Sequence, residues 1–411
     1  MARILSLDVL RGFSLLGILL LNIVSFGLPF AAYMNPTVYG GATGANLAVW
    51  YAAMVLWDGK MRAIFSLLFA ASFDVFLSRL PEQDQAKIYY RRTLWLIVIG
   101  LLHAHLLWSG DILYPYGVIG LLLYPLRKLS AKKLIWAGAA ILLLHSFWNL
   151  GGAFAMREMQ QKGGAEWAQI ERLFAPSAKA VAEQIQVHRS GYVDNLLMRT
   201  REAYEFEGPM FFQFIFLDVL GMFVLGLGLA RSGVFDASRS VRFYTTMATV
   251  GFALGVPLNY WAASQWHATG FRIPEYFQYV ASTQDPGRFL VAAGYIGVVM
   301  LLVKAGVGWF IQPLAAVGRM ALSNYLLTSM LLTLYFNGYG LGQFARLERV
   351  ELYWVVLGMW AINLAWSPLW LRHYLYGPAE WAWRSLTYWQ LQPMRRTSAQ
   401  SNPSPATPLP E

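Results

Sequence analysis

No cysteine occurs among the 411 residues. Its absence excludes disulfides, thiolate nucleophiles and cysteine-ligated metals, and leaves the redox compartment open. Charge is also scarce: Asp, Glu, Lys and Arg make up 13% of the chain, about half their share in a soluble protein. Acids are the rarer sign, 22 against 32 basic residues, for a formal charge of +10. The basic residues lie in short clusters beside apolar runs and form no extended basic face, which excludes nucleic acid as the partner they serve. No repeat of 20 to 50 residues is visible, and the two halves show none of the symmetry of inverted-repeat transporters.

What remains is apolar: 57% of residues are hydrophobic and the mean hydropathy is +0.43. Windows near the ~20 residues that cross ~30 Å of hydrocarbon fall at about 9–29, 61–79, 92–109, 112–127, 133–153, 209–230, 243–263, 287–305, 314–336 and 350–371. The fold class expected is all-α, a polytopic membrane protein of about ten transmembrane helices. Arg3 precedes an apolar run as in a secretory signal, but Asp8 and Arg11 interrupt its approach and further spans follow, so it reads as the first span.

Basic clusters at Arg79, Lys87, Arg91 and Arg92, at Arg127, Lys128, Lys132 and Lys133, at Arg231, Arg239 and Arg242, and at Arg372, Arg384, Arg395 and Arg396 occupy every second connection. The positive-inside rule makes these cytoplasmic, with both termini inside. The connections around 33–46 and 108–111 have no Lys or Arg and face outward. The expected organisation is one transmembrane helical domain over 1–396, an external amphipathic insert at about 155–207, and a Ser- and Pro-rich disordered cytoplasmic tail over 397–411. The lipid bilayer and a small-molecule substrate are the partners expected; homo-oligomerisation stays open.

Orientation places polar residues on a depth scale. Asn22 lies ~21 Å above Asp8, and His103 ~16 Å above Arg92. Asn324, about ten residues into the ninth window, and Asp218, about nine below the outer start of the sixth, come to similar heights. Ionisable groups at that depth mark a functional interior; the alternative for the asparagines is interhelical hydrogen bonding. His103 and His105 point about 200° apart on a helix, so they cannot chelate one metal, and no metal site is expected. His103 and Asp111, eight residues apart, fall within about 80°.

At the cytoplasmic boundary, Asp8 and Arg11 form an i, i+3 pair, and Glu380 and Arg384 an i, i+4 pair on a short helix after Gly377 and Pro378. With Arg91, Arg92, Arg395 and Arg396 they read either as topology and anionic-lipid determinants or as a pocket for a phosphate-bearing donor. On the outer side Trp57, Asp58, Gly59 and Lys60 open the second span, as interface anchors or as part of the pocket.

The stretch from Arg3 through Asp8, Arg11, Gly12 and Gly17 to Asn22 resembles the opening of the YeiB-like family of bacterial inner-membrane proteins, whose C-terminal half is catalogued as a domain of unknown function. The resemblance continues in Asp58, Gly59, Lys60, Phe65 and Ser66, in Arg91 and Arg92 through His103, Trp108, Gly110 and Asp111, in 318–325, and in Gly377, Pro378, Glu380, Trp381, Trp383, Arg384, Leu386, Thr387 and Tyr388 with Arg395 and Arg396. It covers nearly the whole chain except the insert and the tail.

That opening is also similar to two groups of membrane acyltransferases, those that acetylate cell-surface sugars and heparan-alpha-glucosaminide N-acetyltransferase. The similarity implies an acyltransferase-like ten-helix bundle that carries an acyl group from a cytoplasmic thioester to an acceptor on the far side. Where the sugar O-acetyltransferases have a histidine in the first span, this chain has Asn22, as the heparan-alpha-glucosaminide enzyme does. That enzyme's histidine before the second span has no counterpart, since no His lies between Asn22 and Asp58.

The expected roles follow. His103 is the general base, Asp111 or Asp58 orients it, and Asn22 and Asn324 donate to the oxyanion. Arg11, Arg91, Arg92 and Arg384 hold the cofactor-like donor, for which acyl-CoA is the candidate. The alternative is a small-metabolite transporter, proton-coupled through Asp218 and His103.

Overall fold

The computed structural model describes residues 4–396, so the tail expected over 397–411 lies outside the described residues. Among the described residues there are helices and no strand beyond one isolated bridge between Tyr374 and Arg395. The helices are α1 (Leu5–Gly27), α2 (Ala31–Met34), α3 (Gly44–Ala52), α4 (Lys60–Leu77), α5 (Glu82–Leu106), α6 (Leu113–Gly120), α7 (Ala131–Lys162), α8 (Ala165–Phe174) and α9 (Ala178–His188). They continue with α10 (Tyr192–Glu207), α11 (Phe216–Arg231), α12 (Val241–Ala268), α13 (Ile273–Glu275), α14 (Ser282–Lys304), α15 (Gly308–Arg319), α16 (Ala321–Phe336), α17 (Leu352–His373) and α18 (Pro378–Tyr388).

Each of the ten apolar windows falls on helix. Five continuous helical stretches, Leu5–Gly27, Ala131–Lys162, Phe211–Arg231, Ile273–Lys304 and Leu352–His373, are long and apolar enough to cross a bilayer. Two of these present wide apolar faces outward: α7 exposes Trp136, Leu143, Leu144, Phe147 and Trp148, and α17 exposes Trp354, Leu357, Ile362 and Leu369. In water such stripes would drive aggregation, whereas lipid tails solvate them. The chain is a multi-pass helical membrane protein.

Local sequence sets the helix ends. Ser130 and Ser240 accept hydrogen bonds from the Lys133 and Phe243 amides, capping α7 and α12, and Pro378 starts α18 where no amide donor is needed. The helices then pair α12 with α14, α7 with α11, α1 with α15, and α4 with α11. At the α1–α15 crossing, a Cβ on Gly12 would overlap the Leu314 carbonyl and one on Gly318 would overlap the Asp8 carbonyl, so glycine permits the contact.

The ninth window, 314–336, is not one helix. Because Gly12 meets Leu314 and Asp8 meets Gly318, α15 runs antiparallel to the start of α1. Met320 leaves helical geometry at φ −111°, ψ 32°, and a new helix starts at Ala321. Its first amides, Leu322 and Ser323, donate to the Glu380 carboxylate at 2.7 and 3.1 Å, and the Ser323 hydroxyl donates to it as well. A carboxylate at a helix N-terminus satisfies orphan donors and the helix dipole together. Glu380 therefore caps α16, and the expected Glu380–Arg384 ion pair is not among the ion pairs of the described residues; Arg384 lies instead over the Tyr376 and Tyr388 rings.

A consequence is that Asn324 belongs to the first turn of α16, level with Glu380. It does not share the mid-membrane height expected for it, because that height was counted through a helix that is broken. His103 packs ~7.5 Å further along α16, at Ser329.

Candidate functional site

The helices enclose one cavity of about 830 Å³. At the basic end of the bundle its wall includes Arg11, Arg92, Arg319, Glu380 and Trp383; at the end capped by the insert it includes Trp50, Arg172, Gln184, Glu202 and Arg349. Between them lie Asn22, Asp58, Arg62, Asp111, Asp218 and Tyr276. The insert α8–α10 is held there by polar contacts: Ser109 donates to Glu202 at 2.8 Å, Tyr192 to the Leu106 carbonyl at 3.0 Å, and Arg189 to the Phe344 carbonyl at 2.8 Å. Burial pushes the Glu202 carboxyl up, against the Ser109 hydrogen bond and Arg199.

Of the four arginines expected to bind a donor, Arg11 and Arg92 line the cavity and Arg91 and Arg384 do not. Arg11 pairs with Asp8 at 3.0 Å and also donates to Ser72. The Arg92 guanidinium lies 3.7 Å from the Trp383 ring centroid and 4.8 Å from that of Phe76. That sandwich holds the cation without consuming a carboxylate. Burial pushes the Glu380 carboxyl at this end up, against the hydrogen bonds from Ser323 and Leu322.

The histidine and the carboxylate expected to act together do meet. His103 Nδ1 lies 2.8 Å from Asp111 Oδ1, and its Nε2 lies 2.9 Å from Ser329 Oγ. The chain turns over 107–112 to bring Asp111 back beneath α5, where Asp111 Oδ2 also accepts from the Tyr114 amide at 2.7 Å. Both ring nitrogens of His103 are thus partnered within the protein. It does not line the cavity; Asp111 does. His105 points away, as expected, to Glu207 at 3.3 Å.

Asn324 is likewise spent inside the protein. Its amide nitrogen donates to the Val317 carbonyl at 3.1 Å and to Ser367 at 2.9 Å, and its oxygen accepts from Trp366 at 2.6 Å. It ties α15, α16 and α17 together and is absent from the cavity wall. Asn22 and Asp58 are the opposite case. Both line the cavity, and neither side chain has a hydrogen-bond partner among the described residues. Gly59, at φ +68°, makes the turn that aims Asp58 inward. Burial pushes the Asp58 carboxyl up against the pull of Lys60, Arg62 and Arg288.

Sequence reasoning placed Asp218 in the interior without naming its partners. Arg62 approaches it at 2.6 Å and Arg288 at 3.0 Å, with a second Arg288 contact to the other oxygen. Arg288 also binds Asp285, which takes His145 Nδ1 at 2.6 Å, and Asn149 lies 3.3 Å from His145 Nε2. Two arginines thus face two aspartates, with His145 and Asn149 continuing the chain beyond Asp285. The charged members stand in or beside apolar windows, and Arg62 and Arg288 lie at window edges, where nothing local in the sequence says which charges they meet.

Among the described residues no group of three metal-ligating side chains comes together. No solved structure matches the chain. The family model described as "Protein of unknown function (DUF418)" matches residues 229–390. Over 94% of its length the chain is 33% identical to the uncharacterized protein YeiB of Escherichia coli (strain K12), covering 97% of it. It is 28% identical to the uncharacterized protein YxaH of Bacillus subtilis (strain 168), with 96% of each chain covered. An uncharacterized 39.9 kDa protein of Bacillus acidopullulyticus is 26% identical, with 94% of each covered. One third identity sustained over nearly the whole of both chains, together with the all-helical bundle and its apolar outer faces, shows that the chain belongs to the YeiB family of multi-pass membrane proteins.

Proposed function

We propose that this protein transfers an acyl group across a bacterial cytoplasmic membrane, from a cytoplasmic acyl-CoA to a hydroxyl or amine acceptor at the outer side. The observation that supports it is a continuous cavity whose wall runs from the cationic end at Arg11 and Arg92 to the side chains of Asn22 and Asp58, which have no hydrogen-bond partner among the described residues. Cationic and stacked side chains at the first end suit the phosphates of the donor. Asp58, raised by burial and open to the cavity, suits a base that takes the acceptor proton. The acceptor oxygen or nitrogen bonds the acyl carbon, the carbon–sulfur bond breaks, and the proton passes by Asp58 to the leaving thiolate. Asn22 donates to the oxyanion. His103, one hydrogen bond behind Asp111, is a positioning residue in this scheme rather than the base.

The test is acetyl-CoA binding and turnover by purified protein in nanodiscs. Submillimolar binding that falls at least tenfold in Arg92→Ala, with Asp58→Asn keeping the binding but losing acetyl release about 100-fold or more, supports transfer. Absence of acetyl-CoA binding in the wild type overturns it. A second reading, transport of a small metabolite, draws on the chain of Arg62 and Asp218 in the cavity wall with the buried Arg288, Asp285 and His145 behind them. Under that reading acetyl-CoA is not bound and proteoliposomes accumulate solute.

A further inference from the structure

We infer that Arg349 anchors an oxyanion, a phosphate or carboxylate group, on the ligand that occupies the outer end of the cavity. The inference rests on the proposal that the cavity is a ligand path and adds to it the charge of the outer ligand.

Arg349 lies in the connection between α16 and α17, is 3% exposed and lines the cavity. Two of its groups serve the fold: the backbone amide donates to the Gly40 carbonyl at 2.8 Å and Nη2 to the Ala32 carbonyl at 2.7 Å. Its Nε is buried without a partner, and Nη1 makes no hydrogen bond to the protein. No carboxylate lies within 4.0 Å of the guanidinium. The adjacent acid, Glu348, is turned away and accepts from Asn46 at 2.8 Å. Tyr353, the ionisable neighbour acting on Arg349, spends its hydroxyl proton on the Leu20 carbonyl at 2.8 Å.

An arginine in this position remains charged, since burial pushes it down only to about 10. Burying such a charge without a counter-ion is unfavourable by several kcal/mol. Arg288, equally enclosed, has two carboxylates at hydrogen-bond distance. Trp50 adds a second donor at the same end: it lines the cavity, its indole N–H is buried without a partner, and its helix α3 adjoins the Arg349 segment, where Asn46 accepts from the Val350 amide at 2.9 Å. Donors in excess of acceptors call for a ligand that brings acceptors. An oxyanion matches the guanidinium fork in both charge and geometry.

The same oxyanion chemistry comes from a soluble ligand or from a lipid headgroup, and the experiment separates them. Delipidated protein in a neutral detergent is melted at constant ionic strength with inorganic phosphate, with acetate, or with phosphatidylglycerol added to the micelles. Either soluble anion should raise Tm by roughly 2–4 °C, Arg349→Gln should abolish the rise while melting no lower than wild type without anion, and Arg346→Gln, an exposed neighbour, should keep it. An Arg349-dependent rise with phosphatidylglycerol alone assigns the anion to a lipid. Arg349→Lys, which keeps the charge without the fork, should retain less than half the rise and serves if the glutamine variant does not fold. No rise with any of the three, or a full rise in Arg349→Gln, overturns the inference. Acetyl-CoA binding measured on the same samples separates the two claims: binding kept without an anion effect removes only the role of Arg349, and loss of both removes the cavity reading.

Discussion

Asp218 and Asp58 both sit in the wall of one cavity, yet they are treated differently by the protein around them. Asp218 is held by two arginines and, through Asp285, linked to His145. Asp58 opens on the cavity with no hydrogen-bond partner among the described residues. Arg288 and Arg349 repeat the contrast on the basic side, the first paired twice and the second not at all. Charges that are satisfied within the protein hold helices in register, whereas charges left unsatisfied at a cavity wall are available to a ligand.

The largest effect expected from this contrast is on the paired side. Arg288→Ala leaves two buried aspartates without their shared cation and should destabilise the protein by about 3–5 kcal/mol, read as a fall in Tm or loss of folded protein in detergent. A variant that melts like wild type would break the contrast, because Arg288 would then be no more structural than Arg349.

A smaller loss is expected at Asn324. Asn324→Ala removes hydrogen bonds joining three helices and should lower stability by about 1–2 kcal/mol while leaving acetyl-CoA turnover per folded molecule within twofold. A selective loss of turnover would return Asn324 to the site. His103→Ala and His105→Ala extend the comparison. His103 is buried between Asp111 and Ser329, so its loss should lower both Tm and turnover by releasing Asp111, whereas His105→Ala should lower neither by much; equal effects would show that the two faces of α5 are not distinguished.

A further effect, confined to one short helix, is a pH dependence in the insert. His188 stacks on Phe344 with ring centroids 3.8 Å apart and lies 3.2 Å from Asn337. Burial holds its pKa down at about 4 against an ordinary 6.5, so it folds neutral. The unfolded segment binds up to one proton more between those values, so stability rises with pH from about 4 to 6.5 and is level above, at no more than about 1.4 kcal/mol per pH unit. The protection factor of α9, its exchange measured against the intrinsic rate at the same pH, should therefore fall on acidification through that window, and His188→Phe should flatten the response.

Length and polarity made the helices visible in the sequence, because an apolar run near 20 residues has few other uses. The His103–Asp111 pair was visible for a reason that does not hold: α5 ends at Leu106, and eight residues along an unbroken helix would stand ~12 Å apart, so it is the turn over 107–112 that makes the contact. The break at Met320 was not, because hydropathy continues across it and the carboxylate that starts α16 comes from Glu380, remote in sequence. The partners of Asp218 were equally hidden: Arg62, Arg288 and His145 lie on three other helices, and no local pattern says which charges will meet. Arg349 stands outside every basic cluster and motif of the sequence, and it is burial in the structure that distinguishes it.

The most direct test of the central claim compares Asp58→Asn with Asp218→Asn in one preparation, measuring Tm and acetyl release from acetyl-CoA. Asp58→Asn should melt within about 2 °C of wild type, a change under about 1 kcal/mol, and lose turnover about 100-fold or more. Asp218→Asn should melt well below wild type, and whatever remains folded should turn over. The reverse pattern, a destabilised Asp58→Asn that keeps its turnover, would contradict the assignment of unpaired cavity charges to function.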